Sequence, residues 1–183
     1  MPIQAETLEM TKREALTNLH NAMKKIEQFK FPEPKKHLFK SKIIYDENEI
    51  TKIPTGIKGA DYIYFFKVVG KEETNRNCYD ELEQKKLSNN NSKDFPKLNV
   101  QHKGTQYLYV GRSQKLRQRI RQHLGKNHKG TYAMHMERWC KNLKLNIEFQ
   151  YFEILNSDNV LVQSIEDALW DKLKPCFGRK GAK

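Results

Sequence analysis

Arg119 and His123 stand four residues apart, and Tyr109 lies just upstream of them. A guanidinium, an imidazole and a phenol converging on one point suit the binding of a phosphate group: a fixed positive fork, a group for proton traffic and a hydroxyl to orient oxygen. The local sequence, YLYVGRSQKLRQRIRQHL over residues 107–124, explains how they converge. Tyr107, Leu108, Tyr109 and Val110 are aromatic and aliphatic residues suited to a short buried strand, and Gly111 closes it where the backbone needs room. From Lys115 the period changes. Leu116, Ile120 and Leu124 recur at four-residue steps with basic or polar residues between them, which predicts an amphipathic helix. Arg119 and His123 share one face of that helix, beside its apolar stripe, while Arg117 and Arg121 turn towards solvent.

Tyr109-Val110-Gly111, followed by Arg119 and His123 at this spacing, resembles the second half of the GIY-YIG nuclease signature. The upstream strand of that signature is matched by Tyr62-Ile63-Tyr64, with tyrosine at the glycine position, and a later helix carries Glu166 in SIEDALWDKLKP. The resemblance runs from Asp61 to Gly181, about two-thirds of the chain. It implies an α+β fold, a small three-stranded and mainly antiparallel sheet flanked by helices, here with an N-terminal helical extension. It also implies a divalent-metal-dependent endonuclease that hydrolyses DNA phosphodiester bonds to 5′-phosphate and 3′-hydroxyl ends. Glu166 is then the ligand of one Mg²⁺ (or Mn²⁺), an ion that keeps most of its water and binds through few carboxylates. Arg119 holds the non-bridging oxygens, Tyr64 is the general base, and Tyr109 orients water or phosphate. His123 relays a proton or buttresses the site. Arg112 helps stabilise the Tyr64 phenolate and, with Lys115, Arg117, Arg121 and Lys126, contacts the backbone of double-stranded DNA. One departure is that Phe177 and Gly178 stand where family members have an asparagine after the proline that ends the last helix.

The remaining elements must position these groups. Residues 62–69, YIYFFKVV, form a strand on which Tyr62, Tyr64 and Phe66 face one way and Ile63 and Phe65 the other. Residues 146–155, NIEFQYFEIL, alternate as a third strand. The final helix presents Leu161, Ile165, Ala168 and Leu169, capped by Ser157 or Asp158 and ended by Pro175, with Glu166 at the flank of its stripe. Tyr132, Met136, Trp139 and Leu143 predict a further helix over residues 132–143. His128, His135 and Cys140 match no spacing of zinc ligands.

A long helix over residues 5–29 carries Leu8, Ala15, Leu19, Ala22, Ile26 and Phe29 at alternating three- and four-residue steps, the pattern of a packed seam. It is expected to pack on the core, with a DNA clamp or homodimer contact as its other uses. Residues 35–42 read as a basic connector and the region of Ile43-Ile44-Tyr45 as a strand or hairpin. The domain boundary falls between residues 1–58 and 59–183, and residues 71–104 are an insertion between the two motif strands, with a short helix near Tyr79 to Leu87.

The net charge of +12, from 34 Lys and Arg against 22 Asp and Glu, favours a polyanionic partner. The apolar runs are too short to span a bilayer, no secretory signal opens the chain, and three cysteines suggest no disulfide framework, so a cytoplasmic location is expected. Without an evident DNA-reading module, the expected role is a stand-alone nuclease of restriction or defence type. The alternatives are a repair or mobile-element nuclease, a catalytically silent module that binds nucleic acid, and a basic helical adaptor.

Overall fold

In the computed structural model, residues 4–89, 94–125, 131–155 and 158–181 are described. Five helices run α1 (Ala5–Gln28), α2 (Glu47–Thr51), α3 (Glu72–Leu87), α4 (Leu116–Leu124) and α5 (Asn159–Leu173). Four strands, β1 (Lys35–Lys40), β2 (Ala60–Val69), β3 (Tyr107–Ser113) and β4 (Asn146–Leu155), form one sheet in the order β1-β4-β2-β3. Every neighbouring pair is antiparallel. The fold is therefore α+β as expected, but with four strands instead of three.

The added strand is β1, inside the stretch that reads as a basic connector. Its Phe39 is buried against Phe149 and His37 stacks on Tyr151, whereas Lys35, Lys36 and Lys40 face solvent. Lysines on an edge strand deter pairing with other chains; they also erase the alternation by which a strand is read. The segment over Ile43-Ile44-Tyr45 is not a strand. A 3-10 turn spans Ser41–Ile43, and Ile44 is buried just before α2.

The sheet separates two apolar layers. Tyr62, Tyr64 and Phe66 of β2 join Phe149 and Tyr151 of β4 on one face, against Leu116, Ile120 and Leu124 of α4. Ile63 points to the other face and packs with Phe152, Ile154, Leu161, Val162 and Ile165 beneath α5. Asp158 caps α5, its carboxylate accepting the Leu161 amide at 2.8 Å; Ser157 lies outside the described residues. Ala168, expected on the apolar face, is exposed.

Three further expectations change. No residue of α1 is buried, and Leu8, Leu19 and Ile26 are exposed, so the seam of α1 does not pack on the core. Only its end is tied down, through a Lys25–Asp158 ion pair and the Phe29–Phe31–Phe152 ring contacts. The expected helix over 132–143 is irregular chain around a single 3-10 turn, Met136–Arg138. His135 has φ of 47°, incompatible with a continuous right-handed helix, and Trp139 donates to the Met134 carbonyl at 2.8 Å.

The insertion is also more ordered than its polarity suggests. Helix α3 begins seven residues earlier than expected and buries Cys78, Tyr79 and Leu82. Beyond it, Leu98 bridges to Phe177, and the Gly178 amide donates to the Lys97 carbonyl at 2.8 Å. The buried Asn99 side chain donates to the carbonyls of Pro175 at 2.9 Å and Gly178 at 3.2 Å. The turn after Pro175 thus receives a side-chain amide from the insertion, which its own sequence does not provide. That turn in turn lies along the outer edge of β3, where the Cys176 and Phe177 amides donate to Tyr107 and Leu108, both at 2.9 Å.

Candidate active site

A cleft of about 760 Å³ opens around β3, an edge strand of the sheet, and is lined by Tyr64, Tyr109, Gly111, Arg112, Arg119 and Glu166. These groups come from both layers. The pairing Tyr64↔Gly111 puts the Tyr64 ring on the α4 face, and Ile63↔Arg112 puts the Arg112 side chain on the α5 face. Only the sheet edge lets them meet.

Gly111 makes the meeting possible. A Cβ there would lie 2.8 Å from the Tyr64 hydroxyl and 2.7 Å from the Tyr109 ring. The Tyr109 ring, stacked at 12° on Tyr64, is bounded again by Gly178, whose φ of 101° demands glycine and where an added Cβ would lie 2.9 Å from that ring. Gly111→Ala is expected to lower stability by about 1–3 kcal/mol through overpacking. A thermal melt of the variant checks this, and an unshifted midpoint would show that both rings can move aside.

On the α4 face the polar contacts form one network. Tyr64 is fully buried, and its hydroxyl meets His123 Nε2 at 3.0 Å and Arg119 Nε at 3.3 Å. Arg119 also donates to the Tyr109 hydroxyl at 3.3 Å, Gln122 Oε1 at 2.8 Å and the Tyr132 carbonyl at 3.1 Å. Burial works against the charge on Arg119, but the two tyrosine hydroxyls outweigh it and hold its pKa above the ordinary value. His123 is fully buried and its pKa lies well below the usual value, because burial disfavours the cation and Arg119 repels it. The Met134 amide donates to His123 Nδ1 at 3.3 Å. A neutral ring that accepts at Nδ1 carries its proton on Nε2, so His123 donates to Tyr64. Two donors therefore aim at the Tyr64 oxygen, an arrangement that favours its anion. Burial dominates nonetheless and raises the Tyr64 pKa, and the charge on Glu166 adds to the rise.

On the α5 face Glu166 is 6% exposed. Its Oε2 lies 3.3 Å from Arg112 Nε and 3.5 Å from Gln163 Nε2. No partner among the described residues lies on Oε1. Burial pushes the carboxyl up to about 7, Arg112 pulling it down and Asp167 adding to the rise. Among the described residues no cluster of three or more His, Cys, Asp or Glu side chains is suited to a metal ion. A lone buried carboxylate with one unoccupied oxygen, open to a roomy cleft, fits a hydrated divalent cation that takes few protein ligands.

The other expected backbone contacts are dispersed. Arg117 donates to the carbonyls of Ile53 at 2.6 Å and Thr51 at 2.7 Å, and Arg121 pairs with Glu47. With the exposed Lys115 they line a separate cavity of about 460 Å³. Lys126 and His128 lie outside the described residues. The cleft instead gains Lys97, Tyr132, Arg179 and Lys180. Arg179 and Lys180 stand in the basic tail visible in the sequence, but Lys97 has no local signal. It reaches the cleft only because the insertion is bonded to that tail.

Residues 100–180 match the family model of the GIY-YIG catalytic domain. For this part of the chain the match supports the GIY-YIG nuclease superfamily, and with it a nuclease-type function in general. The match starts after β2, and the antiparallel pairing of β2 with β3 completes the sheet around it. Neither curated proteins nor solved structures give a match to the chain. No helix among the described residues is long and apolar enough to cross a membrane.

Proposed function

We propose that this protein is a divalent-metal-dependent endonuclease that hydrolyses DNA phosphodiester bonds in the cleft around β3. The observation that carries the reading is the convergence of the Tyr64–Arg119–His123 network and Glu166 on one cleft from opposite faces of the sheet. The basic side chains along it, Lys97, Arg112, Arg119, Arg179 and Lys180, suit a DNA backbone. A Mg²⁺ or Mn²⁺ ion held by Glu166 would supply Lewis-acid polarisation of the scissile phosphate.

The chain's own groups have distinct tasks in this reading. Arg119 is the permanently charged group for the non-bridging oxygens, held at a fixed angle by both tyrosines and the Tyr132 carbonyl. Tyr64 is the general base. Its phenolate is stabilised by Arg119 and by the Nε2 proton of His123, which makes His123 a buttress for Tyr64 and not the relay. Tyr109, next to Arg119, orients the water or the phosphate. The test is cleavage of supercoiled plasmid with Mg²⁺, an EDTA control and Glu166→Ala alongside. The reading requires nicked or linear DNA that depends on both the metal and Glu166; salt-sensitive retention without cleavage across metals and substrates would point to a silent binding module. The restriction or defence role is the expectation carried from the sequence. Discrete bands would support it, and smears would not.

The Glu166 carboxyl, pushed up to about 7, sets a pH dependence. Below that value it is protonated and loses its affinity for a cation, so Mn²⁺ binding should weaken about tenfold for each pH unit. His123, with its lowered pKa, does not titrate in that window. For stability the sign is opposite to that of a carboxylate whose pKa is lowered on folding. The folded protein retains a proton that the unfolded chain releases above about 4.3, so this group's contribution falls as pH rises from there to about 7. Calorimetric Mn²⁺ titrations between pH 6 and about 8 check the first sign; a flat affinity profile would remove Glu166 as the ligand.

We further propose that α1 pairs with α1 of a second copy of the chain. Leu19 and Ile26 alternate with Ala15 and Ala22 along one face, and the small residues allow close approach of two helices. Sedimentation should reveal a concentration-dependent dimer that Leu19→Glu converts to monomer. A wild-type protein that stays monomeric throughout rejects the pairing.

A further inference from the structure

Arg112 differs from the other guanidinium of the cleft in what holds it. Arg119 is committed to two hydroxyls, a side-chain amide and a backbone carbonyl. Arg112 has one polar partner among the described residues, the Glu166 carboxylate, at 3.3 Å. Both side chains are largely shielded, at 17% and 8% exposure, and both border the cleft. A buried carboxylate without a counter-charge is costly, and so is a buried guanidinium. Each group now satisfies the other. A cation on Glu166 would remove the need for Arg112 there and leave its fork without an anion, in a cleft bordered by Lys97, Arg179 and Lys180.

Resting on the reading of Glu166 as the cation ligand, we propose that Arg112 is an exchangeable counter-ion. It neutralises Glu166 in the metal-free protein and moves to a DNA phosphate when a divalent cation takes the carboxylate. Cation and DNA binding are then coupled through one side chain. The cation displaces Arg112 from its anion, and the DNA phosphate accepts it. By reciprocity each ligand tightens the other. Arg112 is a positioning and binding residue in this scheme and takes no part in proton transfer.

The first measurement is calorimetric titration of Mn²⁺ into DNA-free protein at about pH 8.5, where the Glu166 carboxyl is ionised with or without its arginine. Arg112→Gln and Arg112→Met should bind the ion about tenfold tighter than the parent, because a competing positive charge is gone. Glu166→Gln should lose that site. Unchanged binding by Glu166→Gln would defeat the underlying assignment of the ligand. Loss of binding by Glu166→Gln, with Arg112 variants that fold and bind no tighter than the parent, would leave that assignment standing and overturn the exchange.

The second measurement separates exchange from simple repulsion. Duplex binding is followed against salt with and without Ca²⁺. The added ion should steepen the slope of log K against log salt by about 0.9 more in the parent than in Arg112→Gln, the signature of one additional phosphate contact. Equal steepening in the two proteins overturns the transfer of Arg112 to DNA.

Discussion

Glu166→Gln should reduce DNA cleavage by at least about 10³-fold while leaving duplex affinity in metal-free buffer within a few-fold of the parent, since on the proposed reading several kcal/mol of Lewis-acid stabilisation would depend on that carboxylate. The substitution is nearly isosteric at a residue 6% exposed, so the cleft keeps its shape. It also leaves the shielded Arg112 guanidinium without its carboxylate, so the thermal midpoint should fall although the shape is kept. Single-turnover cleavage at saturating Mg²⁺ is the measurement, with the thermal midpoint as control. Cleavage at the parental rate would exclude Glu166 from the chemistry.

Arg119→Lys should also lose about 10²–10³-fold in turnover, despite keeping the charge, because this is the scale on which a preorganised donor to a developing negative charge acts. The reason lies in the fork. Nε reaches Tyr64, Nη2 reaches both Tyr109 and the Tyr132 carbonyl, and Nη1 reaches Gln122. A lysine ammonium is one point charge and cannot hold these directions together. Tyr64 would lose one of the two donors at its oxygen, and its phenolate would be less populated. Comparing kcat and KM decides the matter. A rise in KM at constant kcat would reduce Arg119 to a binding contact, whereas the assigned role requires kcat to fall. Tyr64→Phe, which removes the hydroxyl on which Arg119 and His123 converge, should give a loss that does not add to that of Arg119→Lys, since the two act as a unit.

What could be read from the sequence follows from the range of the interactions. Strands β2, β3 and β4 and helices α4 and α5 are set by local alternation or by apolar residues at three- and four-residue spacing, and they were visible. So was the approach of Arg119 and His123, because a helix fixes i and i+4 on one face. The Arg112–Glu166 pair was not visible. It depends on β3 being an edge strand, which follows from the entry of β4 between β1 and β2. Strand β1 was hidden by the lysines that protect it as an edge. The 132–143 segment carried a helical pattern of Met136 and Trp139, but the left-handed His135 and the contact with His123 Nδ1 override it. The anchoring of the insertion is hidden for the same physical reason. Its bonds, from Asn99 to Pro175 and Gly178, span more than seventy residues, a range at which local composition is silent.

Tyr64 and Glu166 reach the cleft from opposite sides of one sheet, and they meet across a strand edge with a glycine in it. Such a construction is modular for mutational change. Substitutions among Leu116, Ile120 and Leu124 adjust the surroundings of Tyr64 without passing through the packing of α5, and those among Leu161, Val162 and Ile165 adjust the layer beneath α5, which carries Glu166, without disturbing α4. A combinatorial library split along the plane of the sheet would therefore explore two nearly independent spaces, and the coupling between them would be concentrated in Gly111 and Arg112.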